Sequence, residues 1–249
     1  MKTEMKTTNI LGVPINIITL HEATNKLYSF LRSDSSNVVV TPNPEIVMKC
    51  TKDEKLLNII KSANLVVPDG IGIVLASKLN KNKIKERVPG IDLVTNFFEN
   101  AKEDITVYLL GARPGVCELA KQNIQKTYKN IKIIGYHSGY FNDDTEKLII
   151  NEINGLNPQV ILVGLGAPKQ EFWIHNNKSK FNVKILIGVG GAIDVFSGQV
   201  RRAPTIFIKL NLEWFYRLLS SPKRIFRLLY LPMFVFNVLS KKLFEDLRA

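Results

Sequence analysis

The sequence predicts an α/β protein: a doubly wound, mostly parallel sheet over residues 1–200, followed by a basic, amphipathic helical appendage over residues 201–249. Three observations predict it. Short apolar runs alternate with segments of helical periodicity. Turns bearing glycine or proline follow the apolar runs. After residue 200 the pattern changes to basic residues mixed with Trp, Phe, Tyr and Leu. At 249 residues and 45% hydrophobic, the chain can bury one large core and still carry an appendage.

Two apolar stretches around Gly12 and Pro14 predict a small hairpin, and a helix follows over 21–31. Val38-Val39-Val40 reads as a buried strand running into Thr41-Pro42-Asn43-Pro44. The two prolines end that strand and defer a helix to Glu45, which then runs to Ser62. Leu65-Val66-Val67 is the next strand. Pro68 and Gly70 break it, leaving Asp69 where a strand stops and a helix over 72–79 begins. A lysine-rich loop over 80–86 leads to Arg87-Val88-Pro89-Gly90-Ile91-Asp92, which opens a helix to 102.

Residues 105–110 form the cleanest strand. It ends in Gly111-Ala112-Arg113-Pro114-Gly115, with Pro114 expected in the first turn of a helix that runs to Tyr128. Strands over 131–135, 160–163 and 184–188 and a helix over 143–154 complete the alternation. The strand at 160–163 empties into Gly164-Leu165-Gly166-Ala167-Pro168-Lys169-Gln170-Glu171, and the last one into Val189-Gly190-Gly191-Ala192-Ile193-Asp194. This is a Rossmann-like alternation.

In such a sheet all turns that follow strands gather at one edge, where ligands bind. Five of them, after Val40, Val67, Leu110, Val163 and Gly188, predict a composite crevice for a nucleotide or sugar. Small residues there let a phosphate reach backbone amides. The G-x-G-x-x-G spacing of dinucleotide binders is missing, which disfavours an oxidoreductase. Individual residues keep two readings. Asp69 either caps the helix starting near Ile71 or faces a substrate. Thr41 and Asn43 are turn formers or presented polar groups. Arg87 is a surface charge or an anion ligand. Asp194 caps a short helix or accepts ribose hydroxyls.

The net charge is +12, and residues 201–249 hold ten Lys/Arg against three acids, a share of +7. Basic charge admits nucleic acid, anionic lipid or a phosphorylated substrate. Residues 206–219 carry Ile206, Phe207, Leu210, Trp214, Phe215 and Leu218 at near-helical spacing, and an apolar run over 228–239 is interrupted by Pro232. That run is too short to span a bilayer, which takes roughly 20 apolar residues. It suits a helix pair lying in a membrane interface, or else one packing on a core or a second copy. Because the aromatics share faces with Leu and Ile, lipid fits better than nucleic acid. Cys50 and Cys117 lack metal or redox spacing, and the polar start has no apolar signal core behind it. Both predict a cytoplasmic protein.

Together these motifs resemble the WecG/TagA/CpsF family of bacterial glycosyltransferases. The resemblance rests on Thr41-Pro42-Asn43-Pro44, Pro68-Asp69-Gly70, the segment 87–92, the segment 164–171, residues 188–198 with Arg202-Ala203-Pro204, and Leu212-Glu213-Trp214-Phe215-Tyr216-Arg217-Leu218. One departure is Asn211, where the family pattern leads one to expect glycine. The resemblance implies an inverting transfer of N-acetylmannosamine from UDP to an undecaprenyl-diphosphate-linked N-acetylglucosamine on the inner membrane face, forming the linkage unit of wall teichoic acid. A related UDP-sugar such as the mannosamine uronic acid, a non-catalytic nucleotide-sugar sensor, or a basic nucleic-acid-binding protein are the alternatives.

Under that resemblance Asp69 is the base that takes the acceptor's proton, and Thr41 and Asn43 orient hydroxyls. Gly111, Arg113, Gly164, Gly166, Gly190 and Gly191 line the nucleotide, with Asp194 on ribose and Gln170 on the sugar or phosphate. No Asp-x-Asp pair is present, so no metal is expected, and Arg87, Arg217, Arg224 and Arg227 balance the leaving diphosphate. The appendage docks on the cytoplasmic face of the membrane and folds over the crevice. Away from a membrane, such an apolar tail allows a homo-oligomer.

Overall fold

The computed structural model describes residues 5–219 and 230–247. A hairpin opens the chain, with β1 (Thr7–Ile10) antiparallel to β2 (Val13–Asn16). Its two-residue loop places Leu11 at φ 51° and Gly12 at φ 96°, the sign that matches the twist of the flanking strands. Helix α1 (Leu20–Leu31) follows, started by a capping box in which Thr19 accepts from the Glu22 amide and Glu22 reaches back to the Thr19 amide.

The remaining strands form one parallel sheet: β3 (Asn37–Val40), β4 (Leu65–Val66), β5 (Ile105–Gly111), β6 (Ile131–His137), β7 (Val160–Gly164) and β8 (Ile185–Gly188). Their spatial order is β4-β3-β8-β7-β5-β6, and every pairing is parallel. The strands are Val-, Ile- and Leu-rich because both faces are covered. Alternate residues serve opposite faces. Val107, Leu109 and Leu162 pack with α1, α5 (Gly90–Glu99), α6 (Val116–Thr127) and α9 (Ala192–Phe196). Tyr108, Leu110 and Ile161 pack on the other side with α2 (Pro44–Cys50), α3 (Glu54–Lys61), α4 (Ile71–Ser77), α7 (Asp143–Leu156) and α8 (Lys169–Asn177). The doubly wound, Rossmann-like arrangement expected from the alternation is present. The hairpin covers the β4 edge, where Asn16 Oδ1 accepts from the Val66 amide at 2.7 Å.

Several local expectations are corrected. The segment after Pro44 is two helices, not one, because Asp53 caps a new helix by accepting from the Leu56 amide. Pro114 lies outside α6, which starts at Val116 after Gly115 at φ 79°. The appendage pattern over 206–219 splits into α10 (Thr205–Lys209) and α11 (Glu213–Leu219). The joint is Asn211 at φ 59°, a left-handed conformation that glycine takes freely and asparagine tolerates, which accounts for the departure at this position. Pro232 does not interrupt the last helix, α12 (Tyr230–Asp246). The described helix runs through it.

Helix α12 lies against α2 and α4. Phe234 is its anchor, 1% exposed and part of the core on that face. Gly72 of α4 serves the approach to α2: a Cβ there would meet Pro44 Cγ at 2.7 Å, while Leu231 Cδ1 and Phe234 Cε1 of α12 would stand in ordinary contact at 3.5 and 3.7 Å. Cys50 and Cys117 are buried and unbridged, and burial pushes both thiols up to about 12, so they stay protonated core residues.

Candidate active site

The ends of β3, β4, β7 and β8 surround a cavity of 340 Å³. Of the residues singled out in the sequence, Thr41, Asn43, Asp69, Arg87, Gly166, Gln170, Gly190 and Gly191 line it. Backbone bonds between the loops make this convergence. The Asp69 amide donates to the Pro42 carbonyl at 3.2 Å, and the Val88 amide donates to the Pro68 carbonyl at 2.8 Å. The second bond brings the Arg87 loop beside the acid.

Asp69 is not the cap of α4. Gly70, at φ 103°, holds the capping position, and the half-buried acid lies one residue earlier in the cavity wall. A Cβ at Gly70 would come within 3.2 Å of Pro44 Cδ, so the turn that presents Asp69 depends on glycine for both torsion and space. Thr41 is buried, and its hydroxyl donates to the Gly188 carbonyl at 3.1 Å, tying the ends of β3 and β8 together. Asn43 does cap a helix: its Oδ1 accepts from the Ile46 amide at 3.0 Å, a bond that does not use its amide nitrogen. Arg87, 12% exposed in its side chain, pairs with Glu213 of α11 at 3.4 Å.

Gln170 holds the glycine turn. Its Oε1 accepts from the Gly190 amide at 3.0 Å, and its Nε2 donates to Glu171 Oε1 at 2.8 Å. The amide fits because position 188 is glycine, where a Cβ would lie 2.8 Å from Gln170 Nε2. Glu171 is 2% exposed, and burial raises its pKa above the ordinary carboxylate value, with Gln170 and Lys49 pulling the other way. Its Oε2 has no hydrogen-bond partner among the described residues.

The structure does not bring every expected residue to this cavity. Gly111 and Gly164 stand outside its lining and serve packing instead. A Cβ on Gly111 would meet the Gly164 carbonyl oxygen at 2.4 Å, and one on Gly164 would meet the Gly190 carbonyl oxygen at 2.8 Å. These three glycines thus let the ends of β5, β7 and β8 close on one another. The turn after β5 belongs to a strand one place too far along the sheet, so the expected five-turn crevice is a four-turn one. Arg113 is exposed and outside the lining. Asp194 sits half-buried within α9 next to Gly191, whose added Cβ would lie 3.8 Å from Asp194 Oδ2; it neither caps that helix nor lines the cavity. Arg217 lies in α11 with its side chain outside the described set, and Arg224 and Arg227 lie outside the described residues.

Other lining residues went unread. Glu213, Trp214, Tyr230 and Leu231, all from the appendage, build part of the wall. Periodicity located their helices, but which face meets the body depends on how α11 and α12 dock. Glu171 could have been suspected only as the acid next to Gln170.

A cavity at the carboxyl ends of parallel strands, with an acid and an arginine among glycine turns, lies where α/β enzymes of this architecture bind their ligands. The comparisons narrow this. The family model described as "Glycosyl transferase WecG/TagA/CpsF family" matches residues 8–248. The N-acetylglucosaminyldiphosphoundecaprenol N-acetyl-beta-D-mannosaminyltransferase of Bacillus subtilis (strain 168) is 41% identical over 206 residues, covering 82% of this chain and 80% of that protein. The protein of the same name from Staphylococcus aureus (strain MRSA252) is 38% identical over 237 residues, 94% of this chain and 92% of its own. The chain belongs to the WecG/TagA/CpsF family of glycosyltransferases.

Proposed function

We propose that the protein transfers N-acetylmannosamine from its UDP donor to N-acetylglucosaminyl-diphosphoundecaprenol, the step that makes the wall teichoic acid linkage unit. The names of the relatives supply the acceptor and the sugar. The observation that carries the reading for this chain is the placement of Asp69 and Arg87 on one cavity, their loops joined by the bond from the Val88 amide to the Pro68 carbonyl.

In this mechanism the acceptor hydroxyl oxygen attacks the anomeric carbon as the bond to the UDP oxygen breaks, inverting the configuration. Asp69 takes the hydroxyl proton. UDP leaves as an anion, and Arg87 meets the developing charge in place of Glu213. Thr41 and Asn43 orient hydroxyls, and the Gly190-Gly191 turn, held by Gln170, presents backbone to the nucleotide. Arginine supplies the charge balance, and no metal takes part. Arg217, Arg224 and Arg227 are further candidates for the diphosphate.

The enzyme works on the cytoplasmic face of the membrane as a peripheral protein. No helix among the described residues is long and apolar enough to cross a bilayer. Phe236, Leu243 and Phe244 leave an apolar strip of α12 exposed, with Leu247 exposed just past its end, in an appendage rich in Lys and Arg, the composition of an interfacial helix.

UDP release from UDP-N-acetylmannosamine, measured with and without the lipid-diphosphate N-acetylglucosamine and with EDTA, tests the reading. Acceptor-dependent release that survives EDTA is expected. Release with no dependence on acceptor, or none at all, refutes the transfer, and loss in EDTA refutes its metal independence.

A further inference from the structure

A second hollow of 540 Å³ adjoins the polar cavity. Its walls are α4 and the turn after it (Leu75, Leu79), the α10–α11 joint (Leu210, Leu212) and α12 (Val235, Leu239). Among its described lining residues only Asn211 is polar. The rim is left bare to solvent: Leu75 is 51% exposed, Leu239 54% and Leu210 61%. An apolar trough of this kind marks a place where something apolar binds.

What binds is constrained by continuity. Ile71, Gly72, Trp214 and Leu231 line both hollows, so the trough is an extension of the polar cavity and not a separate surface patch. An occupant that fills both carries hydroxyls and phosphates at one end and a hydrocarbon chain at the other. A membrane acyl chain or a second copy of this protein has no sugar-diphosphate end for the polar cavity. We propose that the trough takes the hydrocarbon chain of the acceptor, the isoprenoid units nearest its diphosphate, and lifts them from the bilayer while the sugar reacts. This rests on the acceptor named under the proposed function and adds a recognition site for its lipid part. Two walls of the trough come from the appendage, so the same helices that meet the membrane also receive the chain drawn from it.

The test uses the full-length enzyme without detergent or membrane. N-acetylglucosamine diphosphates carrying a methyl, geranyl or farnesyl tail serve as acceptors below their aggregation concentration, with UDP-N-acetylmannosamine as donor. KM is expected to fall at least roughly tenfold from methyl to farnesyl, the scale of several carbons leaving water, with kcat little changed. Leu75→Gln and Leu239→Gln, exposed and outside the polar cavity, should raise KM for the farnesyl acceptor toward that for the methyl one while methyl-acceptor turnover stays as in wild type. Equal KM for all three tails in a wild type that still transfers sugar overturns the lipid site and leaves the proposed function standing. Variants that lose methyl-acceptor turnover as well show a structural role and overturn it too. So does a change in sedimentation with tail preference intact, which makes the trough a contact between copies. Failure to glycosylate any acceptor refutes the function itself.

Discussion

Truncating Phe234 to alanine should release α12 from the body and open the reaction cavity. The ring is 1% exposed and joins the core that contains α2 and α4. Removing a buried phenyl group costs about 3–5 kcal/mol. Because α12 docks on α2 and α4 from outside the sheet, that cost falls on its attachment and not on the strands. Taking the low end, about 3 kcal/mol multiplies the undocked population by about two powers of ten. Amides of α12 should therefore exchange about a hundredfold faster while those of β5 and β7 keep their protection. Tyr230 and Leu231, the first residues of α12, belong to the cavity wall, so turnover should fall with the same variant. Hydrogen exchange by mass spectrometry reads both regions in one experiment. Unchanged exchange in α12, or strands that lose protection in step with it, would refute this account of the appendage.

Asp69→Ala should lower kcat by at least ~10²-fold, the usual scale for removing a general base, while UDP still binds by calorimetry. Near-normal turnover would return the acid to a structural role. Glu171→Gln tests the buried carboxyl beneath the glycine turn. Its folded pKa is raised by burial, so the folded protein holds a proton that the unfolded chain has already released. The contribution of this group to stability is thus fully present below its unfolded pKa and is lost as pH rises toward the folded value. The glutamine variant lacks that loss, so its melting temperature relative to wild type should climb as pH is raised from about 4 to neutrality. A difference independent of pH would mean that the folded pKa of Glu171 is not raised.

The sheet was legible because strands buried on both faces must be apolar throughout, as in Val38-Val39-Val40 and the run that ends at Leu110. The turns at Thr41, Asp69 and Gly190 could be placed near one another because parallel strands send all such turns to one edge. Position along that edge is another matter. Gly111 carries the same local signature as Gly190, yet β5 lies beyond β7 and its turn falls outside the cavity. Strand order is set by crossovers of many residues, which leave no mark in a five-residue turn. The same holds for Glu213, which periodicity assigns to a helix but only docking sets against Arg87. Asn211 shows the converse: a substitution that looks disruptive proves compatible once its torsion is known.

The last strand of the sheet to be synthesised occupies its middle. β3 and β7 never touch each other; β8 stands between them, and the bond from Thr41 to Gly188 spans 147 positions of sequence. A nascent chain from which β7 has emerged but β8 has not therefore carries two half-sheets with facing unsatisfied edges and no way to join. Closure waits for residue 188 and is slow for its non-local pairing, which leaves the nascent chain dependent on whatever shields those edges in the meantime.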